Sequence, residues 1–256
     1  MENKRERAAV PSAVPFFSLG IFAIFYSLIF PLYLWWHYLI PIALGAGLFF
    51  LVSRLCRPKF ETVEAVFGRV RKVSSAKALK YSKIFLCVII VFSIVFGGVR
   101  SMNTYRDTVL KAYVDGEAGR AAIRITESAS NLSVVAERYI PGHESLKALK
   151  TAIGESKRLQ EAGAVDKNAA AVVSAVSDVR KALADKILTE KDSADLSKFS
   201  AQIKSDCRIL SGDEYNGKAK TYNETLGTYP AKLFADMTGA NEFFVFSEKD
   251  INTEEK

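Results

Sequence analysis

Residues 8–53 read AAVPSAVPFFSLGIFAIFYSLIFPLYLWWHYLIPIALGAGLFFLVS, and no Asp, Glu, Lys or Arg interrupts these 46 residues. A helix needs roughly 20 apolar residues to cross a bilayer, so the run is long enough for two crossings. Its natural break is Trp35-Trp36-His37-Tyr38, flanked by Pro31 and Pro41. Trp and Tyr concentrate at the membrane–water boundary, where the ring stays apolar and its polar atom stays wet. The pattern predicts a hairpin, with one span near 14–35 and a second near 39–54. A third apolar run, Ile84–Val99, lies between Lys83 and Arg100. These flanking cations can snorkel and lengthen its reach, giving a third span over 84–100. The apolar run far exceeds the h-region of a cleavable signal peptide, so anchoring is the preferred reading of the N-terminus.

The chain has 256 residues, 49% of them hydrophobic, and a net charge of +7 with a pI near 9.2. Such a pI raises nucleic acid as a partner, but the charge is unevenly spread. Residues 1–100 hold 13 Lys and Arg against 4 Asp and Glu, a net of +9, whereas residues 101–256 hold 22 against 24, a net of −2. The basic excess therefore sits beside the most apolar part of the chain. That points to a membrane and away from nucleic acid. Lys4, Arg5 and Arg7 precede the first span, and nine Lys and Arg from Arg54 to Lys83 lie between the second and third. Both segments fall on one side of a three-span arrangement. The positive-inside rule makes that side cytoplasmic and places residues 101–256 outside the cytoplasm.

Within the loop 55–83, Phe60, Val63, Phe67 and Val70 share one helical stripe, with Arg69, Arg71 and Lys72 towards the other side. A helix of that kind can lie in the headgroup layer and meet anionic lipid. A plain connector whose cations only set topology is the competing reading.

Residues 101–256 contain Pro only at 141 and 230, and their apolar residues recur at three- and four-residue steps. One helix is expected to continue from the third span to Tyr139, weakened but unbroken at Gly116 and Gly119, and to end at Pro141-Gly142. A second is expected from His143, loosening near Gly163 and resuming from Ala169 to Leu188. A third carries Leu196 to Leu226, and a short fourth follows Pro230 through Met237. Phe243-Phe244-Val245-Phe246 forms an apolar knot before an acidic tail, 247–256, expected to fray. Helices with one apolar stripe must bury it against one another. The predicted fold is all-α: transmembrane helices over 1–100, then an antiparallel long-helix bundle over 101–246.

The C-terminal region reads Glu214-Tyr215-Asn216, Tyr222-Asn223, Tyr229-Pro230, then Ala235, Gly239 and Phe243-Phe244. This resembles the signature of the LemA family, roughly YN…YN…FP…A…G…F. Tyr105, Arg106 and Ala112, followed by Leu132, Tyr139, His143 and Glu144, are similar to that family's first-helix pattern. The resemblance covers about three-fifths of the chain and implies a bacterial membrane protein with a helical bundle beyond a membrane anchor. The chain departs from the family pattern in three spans where one is usual, and in Tyr229 where Phe is commoner. Relatives are also commonly described with the bundle inside the cell, opposite to the charge argument.

Tyr215 and Tyr222 lie two helical turns apart and share a face, as do Asn216 and Asn223. They form either a polar recognition strip or, preferably, core rings with Asn side chains bonded to backbone. His143-Glu144 does not open a zinc-protease motif, because position 147 is Lys. Glu144 reads instead as a first-turn carboxylate facing the helix dipole. The only other histidine is His37, so no histidine metal site is expected. Cys56, Cys87 and Cys207 are too scattered for a disulfide framework. No P-loop, dinucleotide fingerprint or nucleophile elbow occurs, and neither a cofactor nor catalysis is expected.

These readings point to a non-enzymatic scaffold at the bacterial cytoplasmic membrane. Its partners would be the lipid bilayer and another protein, with self-association left open. The alternative is a sensor whose bundle binds a ligand or envelope component and signals through the third span, with Gly97-Gly98 as a joint.

Overall fold

In the computed structural model, which describes residues 9–56 and 75–247, secondary structure is helical throughout and no strand forms among the described residues. The helices are α1 (Ala9–Ile29), α2 (Leu39–Cys56), α3 (Ser75–Val114), α4 (Glu117–Glu137), α5 (Glu144–Glu161), α6 (Ala169–Leu183), α7 (Glu190–Gly212), α8 (Glu214–Leu226) and α9 (Ala231–Thr238). A single 3-10 turn, Trp35–Tyr38, joins α1 to α2. The loop carrying Phe60, Val63, Phe67, Val70, Arg69, Arg71 and Lys72 lies outside the described residues, as does the tail from residue 248.

The chain divides into two compact units. One comprises residues 1–104 with 225–240, the other residues 105–224 with 241–256. The return of 225–240 to the first unit was not expected.

Among the described residues, two helical stretches are long and apolar enough to cross a membrane, Trp35–Arg54 and Lys80–Val114, the second beginning in the first unit. A third apolar stretch, Val14–Ile29, is shorter. Their outward surfaces are large and apolar: Phe50, Val88, Val91 and Phe92 are each more than 60% exposed. Water penalises such a surface, whereas lipid does not. Ring pairs fix the directions of the helices. Phe16 meets Phe49 at 5.3 Å, and a Cβ on Gly45 would lie 2.9 Å from Leu19, so α2 runs back along α1. Phe17 meets Phe85 at 5.6 Å, Gly20 lies against Leu86 and Ile89, and Gly97 lies against Ser27 and Leu32. The matches rise together along both helices, so α1 and α3 run the same way. Glycine makes these approaches possible, as it does where helices pack without water between them.

The C-terminal end of α1 and the segment after it are tied to the middle of α3 by polar bonds. The Leu32 N–H donates to Ser101 Oγ at 3.1 Å, the Ser101 hydroxyl donates to the Gly97 carbonyl at 2.6 Å, and Arg100 reaches the Ser27 carbonyl at 3.4 Å. The first of these satisfies the N–H of Leu32, a buried donor in the segment between α1 and the Trp35–Tyr38 turn. At the same end, Leu34 forms a backbone bridge with Pro230, and the Phe234 ring of α9 occupies the space a side chain on Gly98 would need.

The second unit is built around α4, whose Ala118, Ala121, Ala122, Ile125, Ala129, Leu132 and Ala136 are buried. Their three- and four-residue steps make one apolar stripe, and the small side chains let neighbours come close. α4 packs most extensively on α7, and also on α5 and α6; α5 packs on α6. Leu146, Leu149, Val172, Val179 and Leu210 supply the opposing surfaces.

The expected continuous helix to Tyr139 is broken: α3 stops at Val114 and α4 starts at Glu117, with Gly116 in extended backbone as its N-cap. A Cβ on Gly116 would strike the Ala112 carbonyl oxygen, and one on Gly119 the Tyr113 carbonyl oxygen. These are backbone atoms that cannot rotate away. We therefore expect Gly116→Ala to cost about 2 kcal/mol or more, a magnitude typical of overpacking. A melting temperature within error of wild type would show that the break tolerates a side chain. Two other expected helices are also divided. α5 ends at Glu161, and Gly163 takes φ +63°, before α6 runs only to Leu183. Asp213 takes extended backbone between α7 and α8, and its carboxylate accepts from the Tyr215 N–H at 2.8 Å. That bond caps α8.

Candidate functional site

The four signature residues of α8 converge on the extended C-terminal segment. Asn216 donates from Nδ2 to the Leu210 and Ser211 carbonyls, and its Oδ1 accepts from the Phe246 N–H at 2.8 Å. Asn223, two turns on, donates to the Phe243 carbonyl at 2.8 Å and accepts from the Phe243 N–H at 2.9 Å. An amide can do both because it carries a donor and an acceptor side by side, matching the backbone of a strand that has no strand partner. The Tyr215 hydroxyl donates to the Phe244 carbonyl at 2.8 Å. Tyr215 and Tyr222 are fully buried; their rings meet Tyr113 and Tyr105 at 5.1 Å, and Tyr222 also meets Phe243 at 5.1 Å. The Phe246 ring lies within 6.2 Å of both Tyr113 and Tyr215. These residues form a clasp that holds 243–246 onto the bundle.

Beside the clasp, an open cleft of about 620 Å³ is lined by Leu110, Leu159, Val165, Lys167 and Glu242, among others, with Phe243 and Phe244 on one wall.

His143 is the N-cap of α5: its Nδ1 accepts from the Ser145 N–H at 3.3 Å, and Glu144 occupies the first turn. Neither side chain meets a metal-binding neighbour. Among the described residues no group of three or more His, Cys, Asp and Glu could hold a metal ion. Cys87, exposed, and Cys207, buried, form no disulfide.

Sequence reasoning missed three buried carboxylates. Asp206 is buried beneath Arg124, which donates to it at 2.8 Å, while Gln202 donates at 2.9 Å. Asp192 accepts from the Tyr139 hydroxyl at 2.5 Å, the Thr189 hydroxyl at 2.9 Å and Arg138 Nη1 at 2.8 Å. Thr189 also caps α7 through the Asp192 N–H. Asp166 is completely buried, where it accepts from Ser156, from Gln160 Nε2 at 2.8 Å and from the Asn168 N–H at 3.1 Å. Its own N–H donates to the Tyr113 hydroxyl at 3.1 Å. Only Thr189-x-x-Asp192 carries a sequence signal, since Ser or Thr with an acidic residue three positions later marks a helix start.

The hydroxyls of Tyr139 and Thr189 hold the Asp192 carboxyl below the ordinary carboxylate range, and Arg138 adds to the effect. A depressed native value means that the stabilisation is complete above the unfolded pKa, near 3.9, and is lost as pH falls through the native value. Asp192→Asn should therefore remove part of the acid-side decline in stability while leaving the neutral-to-alkaline profile unchanged in shape. Melting curves between pH 2 and pH 7 provide the check. An unaltered acid limb would assign that decline to other groups.

Comparison with family models, with curated proteins and with solved structures finds no match to this chain. What it does must be argued from its own geometry.

Proposed function

We propose that this chain is a membrane-anchored helical-bundle scaffold of the bacterial cytoplasmic membrane, of LemA-like type, without catalytic activity. The observation that carries the reading is α3. It is one continuous 40-residue helix, about 60 Å long, with lipid-compatible residues such as Val88, Val91 and Phe92 exposed along its first part. Its last turns supply Val109 and Tyr113 to the bundle core. Anchor and bundle thus share a secondary-structure element, and tethering raises the effective concentration of a weakly binding partner without new contacts.

The helix directions support three crossings. α1 and α3 run together and α2 runs against them, so the end of α1, the Trp35–Tyr38 turn and the exit of α3 share one face of the bilayer. With the basic N-terminus and basic loop on the cytoplasmic face, the bundle is extracytoplasmic. Gly97 and Gly98 lie inside unbroken helix and admit Ser27, Leu32 and Phe234, so close packing accounts for them without a joint. The sensor reading loses its hinge.

In-cell crosslinking followed by purification in mild detergent tests the scaffold. A reproducible protein partner, or a second copy of the chain, is the expected result, and recovery of abundant bystanders alone overturns it. Sidedness is tested separately with a membrane-impermeant thiol reagent on Lys198→Cys and Lys72→Cys, in chains lacking native cysteines. Labelling at 72 but not at 198 in cells with opened outer barriers reverses the orientation.

A further inference from the structure

We propose that α9 is an interfacial foot that rests in the headgroup–acyl boundary of the same bilayer the spans cross. The proposal depends on the membrane reading above but adds a contact that the spans do not require.

The eight residues Ala231–Thr238 divide into three stripes. Ala231, Phe234 and Ala235 are buried, with the Phe234 ring seated over Gly98 of α3. Lys232 and Asp236 are exposed and lie one turn apart on a second face. Leu233 and Met237 lie one turn apart on the third face and are 47% and 53% exposed. A two-faced helix on the rim of a water-soluble domain would carry polar residues at 233 and 237. This one has an apolar stripe with nothing covering it among the described residues.

Its neighbours identify the occupant as lipid. Pro230, at the start of α9, forms its backbone bridge with Leu34, the residue immediately before the Trp35–Trp36 pair. Trp35 and Trp36 are 60% and 48% exposed, and Tyr229 on the other side of the bridge is 71% exposed. Exposed Trp and Tyr at the end of apolar helices are the residues that settle at the boundary. Phe30, at the end of α1, and Leu39, at the start of α2, are also exposed. The stripe on α9 therefore continues a surface already suited to the bilayer edge. Lys232 and Asp236 remain on a separate, polar face, as in a helix lying flat in the headgroup layer. A protein partner would need to match a surface half made of the anchor's own lipid-facing aromatics, so lipid is the occupant to which the geometry points.

The test uses the full chain with its three cysteines replaced by Ser, reconstituted into phosphatidylethanolamine–phosphatidylglycerol vesicles. A fluorescent NBD label is placed on a single new cysteine at 233, 237, 232, 236 or 92. Lipids with nitroxide at a shallow or a deep acyl carbon quench from the membrane side, and iodide quenches from water. Labels at 233 and 237 should be quenched by the shallow lipid and lose most of their iodide quenching relative to 232 and 236. The label at 92 should be quenched by the deep lipid. Iodide quenching at 233 and 237 equal to that at 232 and 236, with 92 still in lipid, overturns the foot and leaves the anchor standing. Shielding from iodide without lipid quenching at 233 and 237 means that protein covers the stripe, and the lipid assignment fails. Absence of lipid quenching at 92 defeats the membrane reading itself, and the foot with it.

Discussion

Tyr215→Ala is expected to cost the bundle about 4 kcal/mol, the scale of emptying a fully buried aromatic site. The ring is wholly inaccessible and touches Tyr113, Phe243 and Phe246, so the neighbours cannot collapse into the space without moving the C-terminal segment. The loss should appear as a large fall in melting temperature and as rapid proteolysis within residues 240–247. Tyr215→Phe keeps the ring and removes only the bond to the Phe244 carbonyl, for about 1 kcal/mol. The sister position should behave differently. The Tyr222 hydroxyl is buried with no hydrogen-bond partner among the described residues. Removing it in Tyr222→Phe eliminates an unrepaid desolvation cost, so stability should be unchanged or higher by up to about 1 kcal/mol. If Tyr222→Phe proves as costly as Tyr215→Phe, that hydroxyl has a partner and the two tyrosines are equivalent. If Tyr215→Ala is nearly silent, the clasp does not hold the segment.

The contrast between these two residues shows what could be read in advance. A seven-residue repeat of Tyr-Asn places both pairs on one face by helical geometry alone, and the small-and-apolar spacing of Ala118 to Ala136 likewise declares a buried stripe. Neither pattern says what the face meets, because the Phe243–Phe246 backbone reaches Asn216 and Asn223 only after the chain has turned twice. Buried charge was less legible still. Asp206 pairs with Arg124 across 82 positions, and Asp192 with Arg138 across 54. In sequence each carboxylate resembles the solvated ones beside it. The helix break at Gly116 was underestimated because intrinsic propensity charges glycine only about 1 kcal/mol, whereas the decisive term is contact with the Ala112 carbonyl oxygen. The same kind of short-range fit returns 225–240 to the anchor unit: Gly98 is vacant so that Phe234 can sit there.

The apolar hairpin of α1 and α2 was the most legible part, for a physical reason. A charge-free run of 46 residues is visible without knowledge of what it packs against. The direction of α3 relative to α1 was not written in that pattern. It follows from glycines at 20 and 97, which lie opposite Leu86 and Ile89 and opposite Ser27 and Leu32. Ser101, which accepts from the Leu32 N–H and donates to the Gly97 carbonyl, fixes the level along α3 at which α1 ends.

Asp166 should produce the second large effect, with a pH dependence opposite to that of Asp192. Asp166→Ala leaves the donors of Ser156, Gln160 and Asn168 buried without their acceptor, and a loss of about 3 kcal/mol is expected. Burial pushes the Asp166 carboxyl above the ordinary range, while the bonds from Ser156, Gln160 and Asn168 pull the other way and only partly compensate. A raised native value means that the folded state holds the proton more tightly than the unfolded chain. The native state then loses stability as pH rises from the unfolded value, near 3.9, through the native one, and the penalty is constant above it. Asp166→Asn keeps the shape and an acceptor for the Asn168 N–H but carries no charge to desolvate. It should retain most of the stability lost in the Ala variant, and its stability should no longer decline over that pH interval. Urea melts of wild type and both variants at pH 4, 5, 6 and 7 distinguish the cases. A wild-type curve that rises relative to the Asn variant from pH 4 upward would mean that Asp166 is held by its three donors as an anion, and the raised value would be wrong. An Ala variant as stable as wild type would remove the network from the forces that join α5, α6 and the end of α3.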